Sequence, residues 1–211
     1  MKPRLLVFAS GSLTGGGSGF ENLVEHAAKG ALKADIVGVV SNHANGGVRE
    51  RAERLHVPFS HFYDMSWSAE GYWKLVEEYK PDFVALSGWL KPVRGLNPRT
   101  TFNIHPAPLP AFGGKGLYGQ YVHEAVLVAF REGRVSVSAV TMHFVTPEYD
   151  RGPVFFEHAV RIDPDDTPET LGKRVKDAEH FWQPRITNLV VQGHIRWDGE
   201  NEVSLTGEMA I

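Results

Sequence analysis

Residues 5–9 form an unbroken apolar run, Leu5-Leu6-Val7-Phe8-Ala9, and a glycine-rich stretch from Gly11 to Gly19 follows almost at once. Beyond it Phe20, Leu23, Val24 and Ala27 recur at helical spacing. A short apolar run reads as a buried strand, and the period after it reads as an amphipathic helix. Strand, glycine turn and helix in that order open an α/β unit. Such a unit commits the chain to a sheet flanked by helices and, through right-handed crossovers, to parallel strands.

The alternation continues. Residues 36–40 read as a second buried strand ending in Ser41-Asn42-His43, residues 48–55 as a helix and residues 56–59 as a short third strand. A helix is expected over 67–79, with Tyr72, Leu75, Val76 and Tyr79 on one face, then a fourth strand over 82–87. The aromatic stripe Trp67, Tyr72, Trp73 and Tyr79 is read as core. The second half changes character. A strand over 101–104 runs into His105-Pro106 and a Pro/Gly-rich loop over 107–116, before a helix over 121–130. Residues 135–144 alternate as a half-buried strand does, and 154–162 are the expected partner. Thr167 is expected to cap a long helix to about residue 191; the Thr167-x-x-Thr170 spacing falls short of a full capping box, and Pro184 is expected to kink or interrupt the helix. Residues 195–197 and 202–205 resemble a terminal hairpin. The expected fold is α/β and Rossmann-like, mostly parallel in the first half and continuing into a mixed sheet. It forms a single domain over 1–211, with lobes over 1–100 and 101–211.

Composition removes several function classes. At 211 residues, 42% apolar and 22% charged, the chain suits one globular domain and not disorder or a coiled coil. A net charge of −3 provides no global basic field for nucleic acid. Cysteine is absent, which excludes disulfides, thiolate zinc sites, iron–sulfur clusters and a cysteine nucleophile, and fits a reducing compartment. No segment approaches the ~18–20 apolar residues of a membrane span, and the run after Lys2-Pro3-Arg4 is too short for a signal-peptide core. The expectation is a cytoplasmic protein with neither nucleic-acid nor membrane partners; monomer and homodimer stay open.

A glycine-rich turn between strand and helix is where α/β proteins hold anions, because free N–H groups and the helix dipole both favour negative charge. Two common versions fail. Gly17 stands where a P-loop would need Lys, and Phe20 stands where a dinucleotide fingerprint begun at Gly15 would need Gly. A phosphomonoester suits the loop better; a loop that binds nothing is the other reading. Asn103 and His105 end a strand two residues apart and so project to one face. An amide and an imidazole there suit acyl transfer, the one donating to an oxyanion and the other supplying charge or a proton. Polar residues also end strands with no such role. Asp150 lies in the loop between the two long strands, either orienting an imidazole or turning the chain. The 10 histidines contain no His-Glu-x-x-His, and no metal is expected.

Taken together, these stretches resemble the phosphoribosylglycinamide formyltransferases of purine biosynthesis, over roughly residues 4–197. The resemblance rests on Gly15-Gly16-Gly17-Ser18-Gly19, Ser41-Asn42, Pro81 through Leu90, Asn103-Ile104-His105-Pro106-Ala107-Pro108-Leu109-Pro110, His143-Phe144-Val145 through Gly152-Pro153, and Glu179-His180. Gly113-Gly114-Lys115-Gly116 and His123-Glu124-Ala125 narrow it further. It departs from the family pattern in a longer glycine loop, in Gly19 where Asn is common, and in Lys91 and Ala69 where Arg is common.

The resemblance implies a formyltransferase fold and transfer of formyl from 10-formyltetrahydrofolate, as cosubstrate, to the amine of glycinamide ribonucleotide. It implies Asn103, His105 and Asp150 as the catalytic trio, with Asp150 holding His105 in its charged form. Gly17, Ser18 and Gly19 would hold the phosphate and Glu179 the ribose hydroxyls. Leu90, Lys91, Pro92, Val93, Thr146, Pro147, Glu148 and Tyr149 would line the folate pocket. Two other readings remain at this point: a formyltransferase acting on an amino sugar nucleotide, and a non-catalytic module that binds a phosphorylated metabolite.

Overall fold

A computed structural model describes residues 1–63, 67–207 and 209–210. In chain order the elements are β1 (Arg4–Phe8), the ribbon strands β2 (Gly11–Ser12) and β3 (Gly15–Gly16), α1 (Ser18–Ala28), β4 (Asp35–Ser41), α2 (Gly47–Arg54), β5 (Phe59–His61) and α3 (Ala69–Tyr79). They continue with β6 (Phe83–Ser87), β7 (Thr101–His105), α4 (Gln120–Arg131), β8 (Val137–Phe144), β9 (Val154–Arg161), α5 (Pro168–Val191) and β10 (Met209–Ala210).

One sheet runs through both halves in the order β10-β9-β8-β7-β6-β1-β4-β5. From β5 to β7 every neighbour is parallel, whereas β8 is antiparallel to both β7 and β9. The expected α/β architecture, parallel first and mixed afterwards, is the one observed.

The run at β1 is continuous because both faces of the sheet are covered. Leu5 and Val7 pack into the larger core with Phe20 and Leu23 of α1. Leu6 and Phe8 pack oppositely, with Tyr72, Leu75 and Tyr79 of α3. Burying each such side chain contributes about 1.5–3 kcal/mol before entropy is counted.

Several expectations are corrected. The third strand begins only after Pro58, because His56 at φ 55° closes α2 and delays the extended chain. In the aromatic stripe Tyr72 and Tyr79 are core, but Trp73 is 64% exposed. β8 is buried on both faces apart from Val137. Its Met142 side joins the larger core, and the Thr141 hydroxyl on the other side donates to the Ala107 carbonyl at 2.8 Å, which draws the loop after β7 over it.

Helix α5 departs from expectation twice. Thr170 completes a reciprocal cap: its N–H donates to Thr167 Oγ1 (3.3 Å), and the Thr167 N–H donates to Thr170 Oγ1 (2.9 Å). Pro184 does not interrupt the helix, which runs unbroken from Pro168 to Val191. A proline at 184 leaves the carbonyl of residue 180 without its intrahelical donor, and Asn22 Nδ2 from α1 donates to that carbonyl at 2.7 Å.

The terminal hairpin is reduced to one antiparallel bridge, Arg196 to Thr206, and its second arm is a 3-10 turn at Glu202–Ser204. Asn201 caps that turn through Val203 N–H (3.1 Å). Among the described residues no helix is long and apolar enough to cross a membrane.

Candidate active site

The glycine stretch folds as a small ribbon, Gly11 opposite Gly16 and Ser12 opposite Gly15, which returns the chain to the start of α1. Gly16 has φ 97°, and a Cβ there would lie 2.6 Å from the Gly11 Cα, so the ribbon closes only with glycine. Gly17 is the N-cap, at φ 81°, and no side chain caps the helix. The first N–H groups of α1 are therefore left for an anion.

Beside this turn, β6 and β7 end at the same edge of the sheet, Leu86 in register with Asn103 and Ser87 with Ile104. Open α/β sheets place their ligands at such an edge. A cavity of about 680 Å³ runs along it, bounded by Gly16–Gly19 at one end and by Asn103, His105 and Asp150 at the other. Glu179 and His180 of α5 line its side.

Asp150 joins the trio. Its backbone is held at φ 53°, a conformation disfavoured for a residue with a side chain. Its carboxylate accepts from the Gly114 N–H at 2.9 Å and lies 3.5 Å from Asn103 Nδ2 and 3.8 Å from His105 Nδ1. Burial alone would raise its pKa; the His143 and His105 rings and the Gly114 N–H outweigh burial and hold it at about 2. The group stays ionised at any working pH.

His105 is 4% exposed and its Nε2 lies 2.8 Å from the Phe112 carbonyl, so Nε2 carries the proton and Nδ1 faces Asp150. Burial lowers its pKa below the ordinary imidazole value, although Asp150 and the Phe112 carbonyl pull the other way. The sequence reading has Asp150 keeping His105 charged. In the free protein burial is the larger influence, and Asp150 opposes it.

His143, absent from the residues chosen from the sequence, completes the cluster. Its Nδ1 lies 2.8 Å from the Phe144 carbonyl, and its Nε2 faces both Asn103 Nδ2 at 3.1 Å and Asp150 Oδ1 at 3.5 Å. The ring therefore fixes which way the Asn103 amide points. Only the antiparallel register, Asn103 opposite His143, could have revealed it.

Glu179 lies half-buried in the cavity wall. Desolvation pushes its carboxyl up to about 7, with Lys176 opposing. Gly17, Ser18, Gly19, Glu179 and Leu90 all line the large cavity with the trio. Lys91, Pro92, Val93, Thr146, Pro147 and Glu148 line a second cavity of about 40 Å³, which shares Asn103, Tyr149 and Asp150 with the first. His123, Ser87 and Gln183 also line the large cavity; the first two fall in stretches that carry the resemblance, but the sequence reading assigns none of the three a role in the site. Among the described residues no cluster of three or more His, Asp or Glu side chains is arranged to hold a metal ion.

The formyl transferase family profile matches residues 4–187. A chloroplastic phosphoribosylglycinamide formyltransferase of Arabidopsis thaliana is 38% identical over 206 residues, which cover 93% of this chain and 68% of that protein. The phosphoribosylglycinamide formyltransferase of Bacillus subtilis (strain 168) is 31% identical over 192 residues, covering 87% of this chain and 92% of that one. The crystal structure of glycinamide ribonucleotide transformylase 1 from Symbiobacterium toebii superposes with a TM-score of 0.80 at 28% identity, over 94% of this chain and 92% of that one.

Proposed function

The chain belongs to the formyl transferase family, and from that premise we propose that it transfers the formyl group of 10-formyltetrahydrofolate to the amine of glycinamide ribonucleotide, giving formylglycinamide ribonucleotide and tetrahydrofolate for purine biosynthesis. One observation carries this reading: Asn103 and Asp150 line both cavities and stand where the two meet. A group passed between two small molecules crosses at such a junction.

In this reading the phosphate docks on the first N–H groups of α1 at Gly17, Ser18 and Gly19, and Glu179 accepts from the ribose hydroxyls. The formyl donor approaches between Lys91–Val93 and Thr146–Tyr149. The apolar faces of Trp89, Pro92 and Val93 suit a flat heteroaromatic ring. A volume of about 40 Å³ holds only a few waters, so the 146–149 segment moves outward to admit one. The folate supplies an activated formyl carbon.

This chain supplies electrostatics and proton handling. Asn103, oriented by His143, turns an amide N–H toward the oxygen on which charge develops. His105, acting in its protonated form, meets that charge, and Asp150, an anion, offsets the positive charge of the ring. Asp150 also helps pass the proton leaving the attacking amine, directly or through one water, to the departing folate nitrogen, so that tetrahydrofolate leaves protonated and Asp150 is again an anion. The trio, intact and convergent, supports a catalyst over a binding module, and the relatives speak for a glycinamide ribonucleotide acceptor over an amino sugar nucleotide.

The test is direct. Purified protein is mixed with 10-formyltetrahydrofolate and glycinamide ribonucleotide, and the folate absorbance change is followed. Turnover that disappears in His105→Ala is the expected result; a wild-type protein that binds both compounds and transfers nothing would overturn the reading.

A further inference from the structure

Ser87, the last residue of β6, and Gln183, on α5, meet beneath the first turn of α1. Both line the large cavity, yet they are only 8% and 2% exposed. Gln183 Nε2 donates to Ser87 Oγ at 3.0 Å, while Gln183 Oε1 is 3.5 Å from the same oxygen. The second distance is beyond that of an ordinary O–H···O bond. As placed, the Ser87 hydroxyl proton and the Gln183 carbonyl oxygen have only each other, at 3.5 Å. With the carboxamide turned over, an Nε2–H and a Ser87 lone pair are left instead. In either orientation the pair keeps at least one donor and one acceptor side by side.

Gly19 shapes this spot. A Cβ there would come within 2.2 Å of Ser87 Oγ and 3.0 Å of Gln183 Oε1. A side chain at 19 would occupy the space the pair uses, so glycine at 19 and the polar pair are one local solution. Two buried polar groups with spare hydrogen-bonding capacity are costly in a free protein. They are retained where a ligand completes them.

Their location says which part of the ligand that is. The pair lies between the α1 N-terminus and β7, where Asn103 stands one strand away. A ribonucleotide held by its phosphate at one end and reacting through its amine at the other spans the interval with a ribose and an amide linkage. A secondary amide offers one C=O and one N–H, the complement of one donor and one acceptor. We propose that Ser87 and Gln183 recognise the amide linkage of the acceptor ribonucleotide, setting the distance of its amine from Asn103. This rests on the acceptor assigned under the proposed function.

The experiment measures KM for glycinamide ribonucleotide, KM for the formyl donor, kcat and thermal midpoint in wild type, Ser87→Ala and Gln183→Met. Both variants are expected to raise the ribonucleotide KM about tenfold or more, with the donor KM unchanged and the thermal midpoint of the free protein not lowered. An unchanged ribonucleotide KM with a lowered midpoint would make the pair a packing feature and overturn the proposal. Ser87→Ala removes only a hydroxyl and decides the matter if Gln183→Met does not fold. Wild type inactive on glycinamide ribonucleotide would defeat the reading of the reaction itself, whereas active wild type with indifferent variants defeats this inference alone.

Discussion

The side-chain amide of Asn22 donates a 2.7 Å hydrogen bond to the carbonyl of His180, the one carbonyl of α5 that Pro184 leaves without its helical donor. That bond ties α1 to α5 beside the cavity, where His180 Nε2 also lies 3.3 Å from Ser18 Oγ. Removing Asn22 exposes the defect the proline creates. Asn22→Ala is expected to cost about 1–2 kcal/mol in urea unfolding. In a Pro184→Ala background the helix regains its own donor, and the same substitution is expected to cost clearly less. Equal costs in both backgrounds would show that Asn22 does not act through the His180 carbonyl.

Asp150 is expected to set the rate without setting the pH profile. Asp150→Asn and Asn103→Ala each lose a group aimed at developing charge, and a fall in kcat of ~10²–10³ is typical of such a loss. Because Asp150 is held at about 2, it stays ionised throughout the neutral range, so any acidic limb of kcat between about pH 5 and 8 belongs to other groups. A wild-type profile to pH 4 and single-turnover rates of the variants check both statements. Near-normal turnover of the two variants would remove the roles assigned to them.

His143 acts through Asn103 and Asp150, which its Nε2 faces at 3.1 and 3.5 Å. His143→Ala leaves the Asn103 amide with only its longer 3.5 Å contact to Asp150. The expected result is a kcat lowered roughly 10–100-fold with both KM values little changed, and partial rescue by His143→Gln, whose carbonyl oxygen can accept. Steady-state kinetics of the three proteins tests this; a rise in KM at constant kcat would instead give His143 a role in binding.

Glu179 makes the free protein's stability depend on pH. Its folded pKa of about 7 lies above the ordinary 4.5. Both states are protonated below about pH 4.5, and as pH rises the unfolded chain ionises first, so stability falls until about pH 7 and is level above. The full linkage value is roughly 3 kcal/mol, reduced because water reaches the half-buried carboxyl. Glu179→Gln is therefore expected to be more stable than wild type at pH 8 and not at pH 4.5, while binding glycinamide ribonucleotide more weakly. Thermal scans at the two pH values, with and without the ribonucleotide, give the comparison.

How far the sequence reached is clear element by element. The unbroken run at β1 and the helical spacing after Gly19 placed a strand, an anion-ready turn and a helix because those signals are local. The misreadings are local too. At 137–144, alternation suggested an exposed face, but the loop bonded to Thr141 through Ala107 covers it. At residue 184 a proline suggested a break, but its orphaned carbonyl is satisfied from another helix. A competing partner distant in the chain decided each case.

The sequence by itself determined the order of the main strands and helices through α5, the turn at Gly17 and the placement of Asn103 and His105 on one face of one strand. All of these follow from periodicities of two and of 3.6 residues and from the φ range open to glycine. Tertiary structure alone decided that Asp150 meets Asn103 across 47 residues, that His143 stands opposite Asn103, and that Gln183 finds Ser87 across 96. It also decided that burial pulls the His105 pKa below the ordinary imidazole value against the pull of Asp150, because that balance depends on how deeply the folded chain buries the ring. Such contacts depend on sheet order and antiparallel register. Both are set by how whole faces pack, and no short stretch of the chain encodes that.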